Sequence, residues 1–150
     1  MATTLKQLTA ADLPLCRALN TMFGVAFGEP DTYERRPPPD DYLERLLAKP
    51  QMLVLVALDG AKVVGGLVAY ELEKLEQARS EVYLYDLAVA ETHRRQGIAT
   101  ALIRALGKLA KERGAYVMFV QADRTDPPAI RLYESLGTRE DVHHFDIPVG

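Results

Sequence analysis

The segment from Glu81 to Leu109, EVYLYDLAVAETHRRQGIATALIRALGKL, holds the residues of this chain best placed to do chemistry. Within it, His93-Arg94-Arg95-Gln96-Gly97-Ile98-Ala99 lies where an apolar, strand-like run gives way to an amphipathic helical pattern. The first N–H groups of a helix have no intrahelical partner, and the helix start carries a partial positive charge. A helix opening at this point can therefore hold a phosphate. Gly97 lets the main chain approach an anion closely, and Arg94 and Arg95 add positive charge. Arg94-x-x-Gly97-x-Ala99 also suits an ordinary charged surface turn, so the spacing alone leaves both readings open.

Carboxylates are the second group. Acidic residues cluster at Glu29 and Asp31, Asp40 and Asp41, Asp123 and Asp126, and Glu140 and Asp141, within a chain of net charge −3. Most such clusters are solvated loops or helix starts. Beside a basic, phosphate-type turn they suggest two ligands of opposite charge, an anionic cofactor and a cationic substrate. The acidic balance argues against nucleic acid as the main partner. His143 and His144 offer too few ligands for a metal site, and none is expected. The single cysteine, Cys16, excludes an internal disulfide, and its place on an apolar helix face predicts packing. No apolar run approaches the roughly 20 residues that span a bilayer. No secretory leader is evident, so a cytoplasmic protein without a membrane partner is expected.

The elements that must position these groups follow from periodicity. The 150 residues suit one domain, 1–150. A first strand is expected at 3–8, and Thr9-Ala-Ala-Asp12 resembles a capping box with Asp for Glu. Leu15, Cys16, Leu19, Met22 and Phe23 recur at helical spacing. Gly28-Glu29-Pro30-Asp31 breaks that helix, a proline-rich loop follows, and a short helix from Asp40 turns Tyr42, Leu43, Leu46 and Leu47 inward. Met52–Leu58 and Lys62–Glu71 read as strands joined by a hairpin at Asp59-Gly60. After the next strand, Ile98, Ala101, Leu102, Ala105, Leu106, Leu109 and Ala110 make an apolar helical stripe that Gly114 ends. Ala115–Gln121 is short and apolar, as a central strand would be. Asp126 caps a further helix with Pro127 at its first position, and Gly137 stops it. Val142–Ile147 suggests a last strand. The order is β-α-α-β-β-β-α-β-α-β.

That order, with Arg94-x-x-Gly97-x-Ala99 after a strand and Ala129-x-x-x-Tyr133 on a later helix, resembles the GNAT family of N-acetyltransferases. YLYDLAV, HRRQGIATALI, GAYVMFVQAD, LYESLG and HFDI are similar to segments of the gentamicin-type aminoglycoside 3-N-acetyltransferases of that fold. The resemblance implies an α/β (α+β) architecture: a mixed, mostly antiparallel sheet with splayed central strands and helices on both faces. It implies direct acetyl transfer from acetyl-CoA to an amine. The main chain of Arg94, Arg95, Gln96, Gly97, Ile98, Ala99 and Thr100 would hold the CoA pyrophosphate. Leu87, Ala88 and Val89 would pair with the pantetheine arm, and an N–H near Val89 would polarise the acetyl carbonyl. Tyr133 would contact the cofactor and protonate the departing thiolate. Asp126 stands where the family often has a pantetheine-contacting Asn, although its position also suits a helix cap.

An ammonium must lose a proton before it attacks, and a carboxylate is the expected base. Glu81, Asp86, Asp123 and Asp146 are expected around the substrate, with Asp123 and Glu81 among the candidates for that base. By period-two counting Glu81 and Tyr83 share a face with Leu87 and Val89, and Asp86 takes the other face unless a bulge shifts the phase. Several carboxylates around one cleft would attract a polycation such as an aminoglycoside. Other readings are a GNAT enzyme for a polyamine, a small metabolite or a protein N-terminus, and a catalytically idle CoA-binding module. A homodimer is compatible with each.

Overall fold

The computed structural model describes residues 3–150, which divide into two compact units, the first ending at Val120 and the second running Gln121–Gly150. The first unit contains β1 (Thr4–Gln7), α1 (Leu13–Ala26), α2 (Pro30–Glu34), α3 (Asp40–Leu47), β2 (Met52–Asp59), β3 (Lys62–Glu73), β4 (Ser80–Val89), a single 3₁₀ turn (Glu91–His93), α4 (Ile98–Glu112) and β5 (Ala115–Val120). The strands form one open sheet in the order β1-β2-β3-β4-β5. Neighbours run antiparallel except β4 and β5, which run parallel.

Pleating sends alternate residues of the central strands to two different helical layers. Val54 and Val56 of β2 form one core with Cys16, Leu19 and Phe23 of α1 and Leu43 and Leu47 of α3, and Val68, Tyr70 and Ala88 pack against it. On the other face α4 lays Ile98, Leu102, Leu106 and Ala110 against the sheet. Both faces are therefore dry, which explains the near-continuous apolar runs of β2 and β3. Two glycines of β3 set how closely the layers approach. A Cβ at Gly66 would stand 2.4 Å from Cδ1 of Leu19 and 2.9 Å from the Leu55 carbonyl oxygen, and one at Gly65 would stand 3.1 Å from Ile98.

Several expectations change in detail. Asp12 is the N-cap residue of α1; its carboxylate accepts from the Thr9 N–H in the turn before the helix, so the capping box precedes α1. Pro30, expected to break the chain, opens the short helix α2 with Asp31 in its first turn. The buried stripe of α4 includes Ile103, while Ala101 is exposed, and Tyr42 of α3 is exposed too. Strand β5 is an edge strand, pairing with β4 alone, and Tyr116 and Val117 stay exposed. Apolar content signalled a central position there, and edge strands of this composition defeat that rule. Cys16 is buried, as packing requires.

In the second unit α5 (Pro127–Leu136) starts at Asp126, whose carboxylate accepts from the Ala129 N–H at 3.3 Å, with proline in the first turn. The expected strand at Val142–Ile147 is not formed: residues 138–150 carry no regular secondary structure. β-Propensity gives a strand only when a partner supplies the ladder. Among the described residues no helix is long and apolar enough to cross a membrane.

Gly66→Ala should destabilise the fold by about 1–3 kcal/mol, because its methyl group meets a backbone oxygen that cannot rotate away. Urea unfolding of the variant should show a lower midpoint at unchanged slope; an unchanged midpoint would mean that the layers have slack the packing does not show.

Candidate active site

The turn between β4 and α4 is built to leave donors unpaired. Ala90 N–H is fixed to the Val64 carbonyl and His93 N–H to that of Ala90, but among the described residues none of the N–H groups from Arg95 to Thr100 has a backbone acceptor. Gly97 is the N-cap of α4 at φ +78°, and no side chain caps the helix. Arg95 also adopts a positive φ, +62°, and is the one non-glycine among the described residues to do so. A left-handed arginine is an uncommon conformation that the surroundings must enforce. Successive N–H groups in such a turn, added to a helix N-terminus, make a concave anion seat. The Arg94 side chain folds back, its Nε donating to the Val89 carbonyl at 3.2 Å, while Arg95 is exposed.

Next to this seat, β4 outruns its parallel neighbour. The last β4–β5 pair is Leu84↔Val120, yet β4 continues against β3 as far as Gly65↔Val89. From Tyr85 to Val89 the strand therefore has a partner on one side only. The Ala90 N–H bonds to Val64 of β3, so by alternation Ala88 also faces β3, while Leu87 and Val89 direct their main-chain groups outward. The Val89 carbonyl accepts from Arg94, and the Leu87 groups and the Val89 N–H are open to a ligand lying alongside as a strand would.

The strand also changes phase here. Val68 pairs with Asp86 and Ala69 with Leu84, so Tyr85 is an extra residue in a β-bulge. Tyr83 and Asp86 then stand on the same face as Tyr70 and Val68, toward α1 and α3. Leu87 and Val89 join Val82 and Leu84 on the α4 face. Simple alternation from Glu81 places Leu87 and Val89 on the wrong side, because period-two counting fails across a bulge.

Tyrosines surround Asp86. Tyr85 meets Tyr70 and Tyr83 edge-on at ring-centroid distances of 5.8 and 5.4 Å, and Tyr83 stacks on Phe119 at 4.6 Å. Tyr33 of α2 packs against the core on this face. Its phenol is pushed up to about 12 by burial, then by the charges of Asp86, Glu29 and Tyr85. Gly24 of α1 lets Tyr33 come in, since a Cβ there would be 3.2 Å from the tyrosine Cβ. Asp86 is partly buried, and burial raises its pKa above the usual aspartate value. Among the described residues no hydrogen bond or ion pair engages its carboxylate. Tyr33 escaped the sequence reading, and Glu29 entered it only as one of the acidic pairs; Pro30 at a helix start, followed by Asp31, was the signal for the helix that presents them.

Glu81 shares this face but sits at the closed end of the strand pair, opposite Val117. It accepts from the Tyr116 hydroxyl at 2.6 Å and pairs with Lys74 at 3.5 Å, and the Tyr116 bond leads the causes that lower its pKa. Within the second unit, Tyr133 on α5 has a phenol pKa raised by burial and then by Asp126. Asp123 precedes α5, its carbonyl accepting from the Asp126 N–H. Asp146 has a side chain 95% exposed and paired with His144 at 2.8 Å, in a segment without a strand face. No cluster of metal-ligating side chains occurs among the described residues.

The profile of the acetyltransferase (GNAT) family matches residues 16–138. The chain belongs to that family. Among solved structures, an aminoglycoside acetyltransferase (HMB0005) from an uncultured soil metagenomic sample is 52% identical, with a TM-score of 0.98 over 100% of both chains. A second, meta-AAC0020 from a similar source, solved with sisomicin, is 33% identical at a TM-score of 0.92 over 99% of this chain and 97% of its own. The ribosomal-protein-alanine N-acetyltransferase of Brucella melitensis biovar Abortus 2308 is more distant, at 26% identity and a TM-score of 0.77 over 99% of this chain and 100% of its own. N-acetyltransferase family 8 member 2 of Rattus norvegicus is 32% identical over 60% of this chain, a match spanning 40% of that relative's length. The GNAT sheet with its helices on both faces, expected from the motifs, is thus present.

In this GNAT chain, anion binding at the β4–α4 turn should depend on main-chain geometry more than on either arginine side chain. Gly97→Pro cannot adopt φ +78° and loses an N–H. Arg95→Gly removes a charge while relaxing the positive φ. Calorimetry with CoA should show the proline variant weakened more than tenfold, about 1.4 kcal/mol, and the Arg95 variant weakened less. Equal losses in two folded variants would contradict this picture.

The raised pKa of Asp86 also has a stability consequence. Folded and unfolded states both hold the proton below the unfolded value, so the group is neutral in its effect there. As pH rises through the folded value the fold must house an uncompensated charge, and stability is lost. Asp86→Asn should therefore unfold at higher urea than the parent at neutral pH, the gain vanishing in acid. A less stable variant at neutral pH would reveal a compensating partner for the carboxylate.

Proposed function

We propose that this GNAT chain transfers the acetyl group of acetyl-CoA to an amine of a polycationic substrate, an aminoglycoside, with the 3-amino group of gentamicin-type drugs as the acceptor. One observation carries the reading: an unpaired, partly buried carboxylate, Asp86, stands among Tyr33, Tyr70, Tyr83 and Tyr85 where β4 leaves β5. Carboxylate and tyrosine faces together suit an ammonium-bearing ring, by charge and by cation–π attraction. The solved relative that is 52% identical along the whole chain is an aminoglycoside acetyltransferase, which supports the same class of acceptor.

The unpaired amides from Arg95 to Thr100 fit a pyrophosphate, and the open edge at Leu87 and Val89 fits the amide-bearing arm behind it. Bound there, acetyl-CoA supplies an activated thioester. Asp86 takes a proton from the substrate ammonium and passes it to solvent. The amine lone pair then forms the C–N bond as the C–S bond breaks, and the second proton leaving the nitrogen balances the one taken up by the departing sulfur. Asp86 is better suited than Glu81, whose affinity for a proton is lowered by Tyr116 and Lys74. The family resemblance gives Tyr133 the role of proton donor to the departing sulfur, and a phenol with a raised pKa is protonated throughout the neutral range. Asp123, Asp126 and Asp146 belong to this proposal on the family resemblance, as does drug resistance exerted from the cytoplasm. Acetylation of a protein N-terminus is the second reading, favoured by the more distant ribosomal-protein-alanine relative.

Thiol release from acetyl-CoA, followed with sisomicin, gentamicin, spermidine and an alanine-initiated peptide, separates these readings. Turnover should be greatest with the two drugs and fall with added salt, since exposed charge attraction is screened. Asp86→Asn and Tyr133→Phe should each lower turnover about 10²- to 10⁴-fold without weakening CoA binding. The acid limb of the rate profile should lie above the ordinary aspartate range, as the raised pKa of Asp86 requires. Peptide turnover alone would replace the aminoglycoside reading with the second one.

A further inference from the structure

We infer that Asp59 and His93 form a positioning clamp for the CoA phosphate seat, an inference that rests on reading Arg95–Thr100 as that seat. His93 ends the 3₁₀ turn just before Arg94, and its Nε2 lies 2.8 Å from Oδ2 of Asp59. Asp59 closes β2 at the tip of the β2–β3 hairpin, paired with Lys62 and far from His93 in sequence. The two side chains are only 17% and 20% exposed, so water competes weakly for the bond. On the other ring nitrogen, Nδ1 is 2.7 Å from the Thr92 hydroxyl.

This arrangement defines the ring chemically. A carboxylate can only accept, so His93 carries its hydrogen on Nε2 and directs it at Asp59. The hydroxyl of Thr92 then donates to Nδ1 when the ring is neutral. Both nitrogens are engaged, and the ring cannot flip without losing both bonds.

The position explains why such a clamp is needed. Between His93 and α4 the chain passes through Arg95 at φ +62° and Gly97 at φ +78°. An arginine does not hold that conformation of its own accord, and the amides that bind phosphate point correctly only while it persists. Upstream, Ala90 is pinned to Val64 of β3; downstream, α4 is pinned to the sheet by Ile98. The Asp59–His93 bond ties the intervening turn sideways to the β2–β3 hairpin. Neither residue touches the seat, so each acts through the orientation of the main chain.

Calorimetry with CoA and steady-state kinetics on the full chain test this. Asp59→Ala and His93→Ala should each weaken CoA binding at least fivefold and raise KM for acetyl-CoA similarly, with kcat and the KM for the amine close to the parent. The double variant should lose no more than either single one, because both remove the same bond. Asp59→Asn retains an acceptor for Nε2–H and should stay within about twofold of the parent. Nitrogen NMR of the parent should show His93 protonated at Nε2 when the ring is neutral. Parent-like CoA binding in both alanine variants, additive losses in the double variant, or a neutral His93 protonated at Nδ1 would each overturn the clamp. Gly97→Pro serves as the control: if it binds CoA normally, the seat itself is misplaced and the clamp falls with it; if it alone loses affinity, only the clamp is wrong.

Discussion

The one-residue bulge at Tyr85 governs the chemistry of this sheet. Without it, Asp86 would face α4 and be covered by Ile98 and its neighbours, an expensive place for a charge. With it, Asp86 turns to the face of Tyr70 and Tyr83, and Leu87 and Val89 pass to the α4 side, where their apolar side chains belong. The same irregularity lies just where β4 loses β5, so the polar side chain and the unpaired main chain arise within a few residues of each other. A partly buried carboxylate on one face and an unpaired strand edge thus arise together at a single irregularity of β4.

What surrounds the bulge is rigid. Leu53, Val56, Val64, Leu67 and Val82 are fully buried, and the sheet has dry helical layers on both faces. Gly65 and Gly66 bring those layers close enough for Leu19 and Ile98 to fix the strand edges. Such a frame can carry locally unfavourable features: an arginine in the left-handed region, a helix start without a side-chain cap, and a carboxylate without a partner. Each would be removed by a sequence optimised for stability alone, and each presents a group to a ligand. Their concentration around the end of β4 makes that end of the strand the candidate site.

Much of this was legible in the sequence, for reasons tied to range. The phosphate-type turn rests on Gly97 and on the start of a strongly amphipathic helix, both local properties, and the structure shows the donors where the spacing put them. Asp126 as a cap with proline after it, the Asp59-Gly60 hairpin and the burial of Cys16 are equally local. The helix at Pro30–Glu34 was readable in principle, but a proline after glycine reads first as a break.

Properties that depend on a partner strand or a distant side chain were decided by tertiary structure. Glu81 and Asp86 are both carboxylates on the same strand, and composition treats them alike. Packing gives Glu81 bonds from a tyrosine and a lysine and gives Asp86 burial without a bonded partner, so their proton affinities move in opposite directions. The edge position of β5 and the missing strand at Val142–Ile147 likewise depend on which ladders form, a non-local outcome that propensity does not encode. The sequence by itself determined the family, the helix that opens at Gly97 and the supply of carboxylates. Only the three-dimensional pairing of β3 with β4 decided which face Asp86 takes, because a bulge is a mismatch between two strands and has no signature in either one alone.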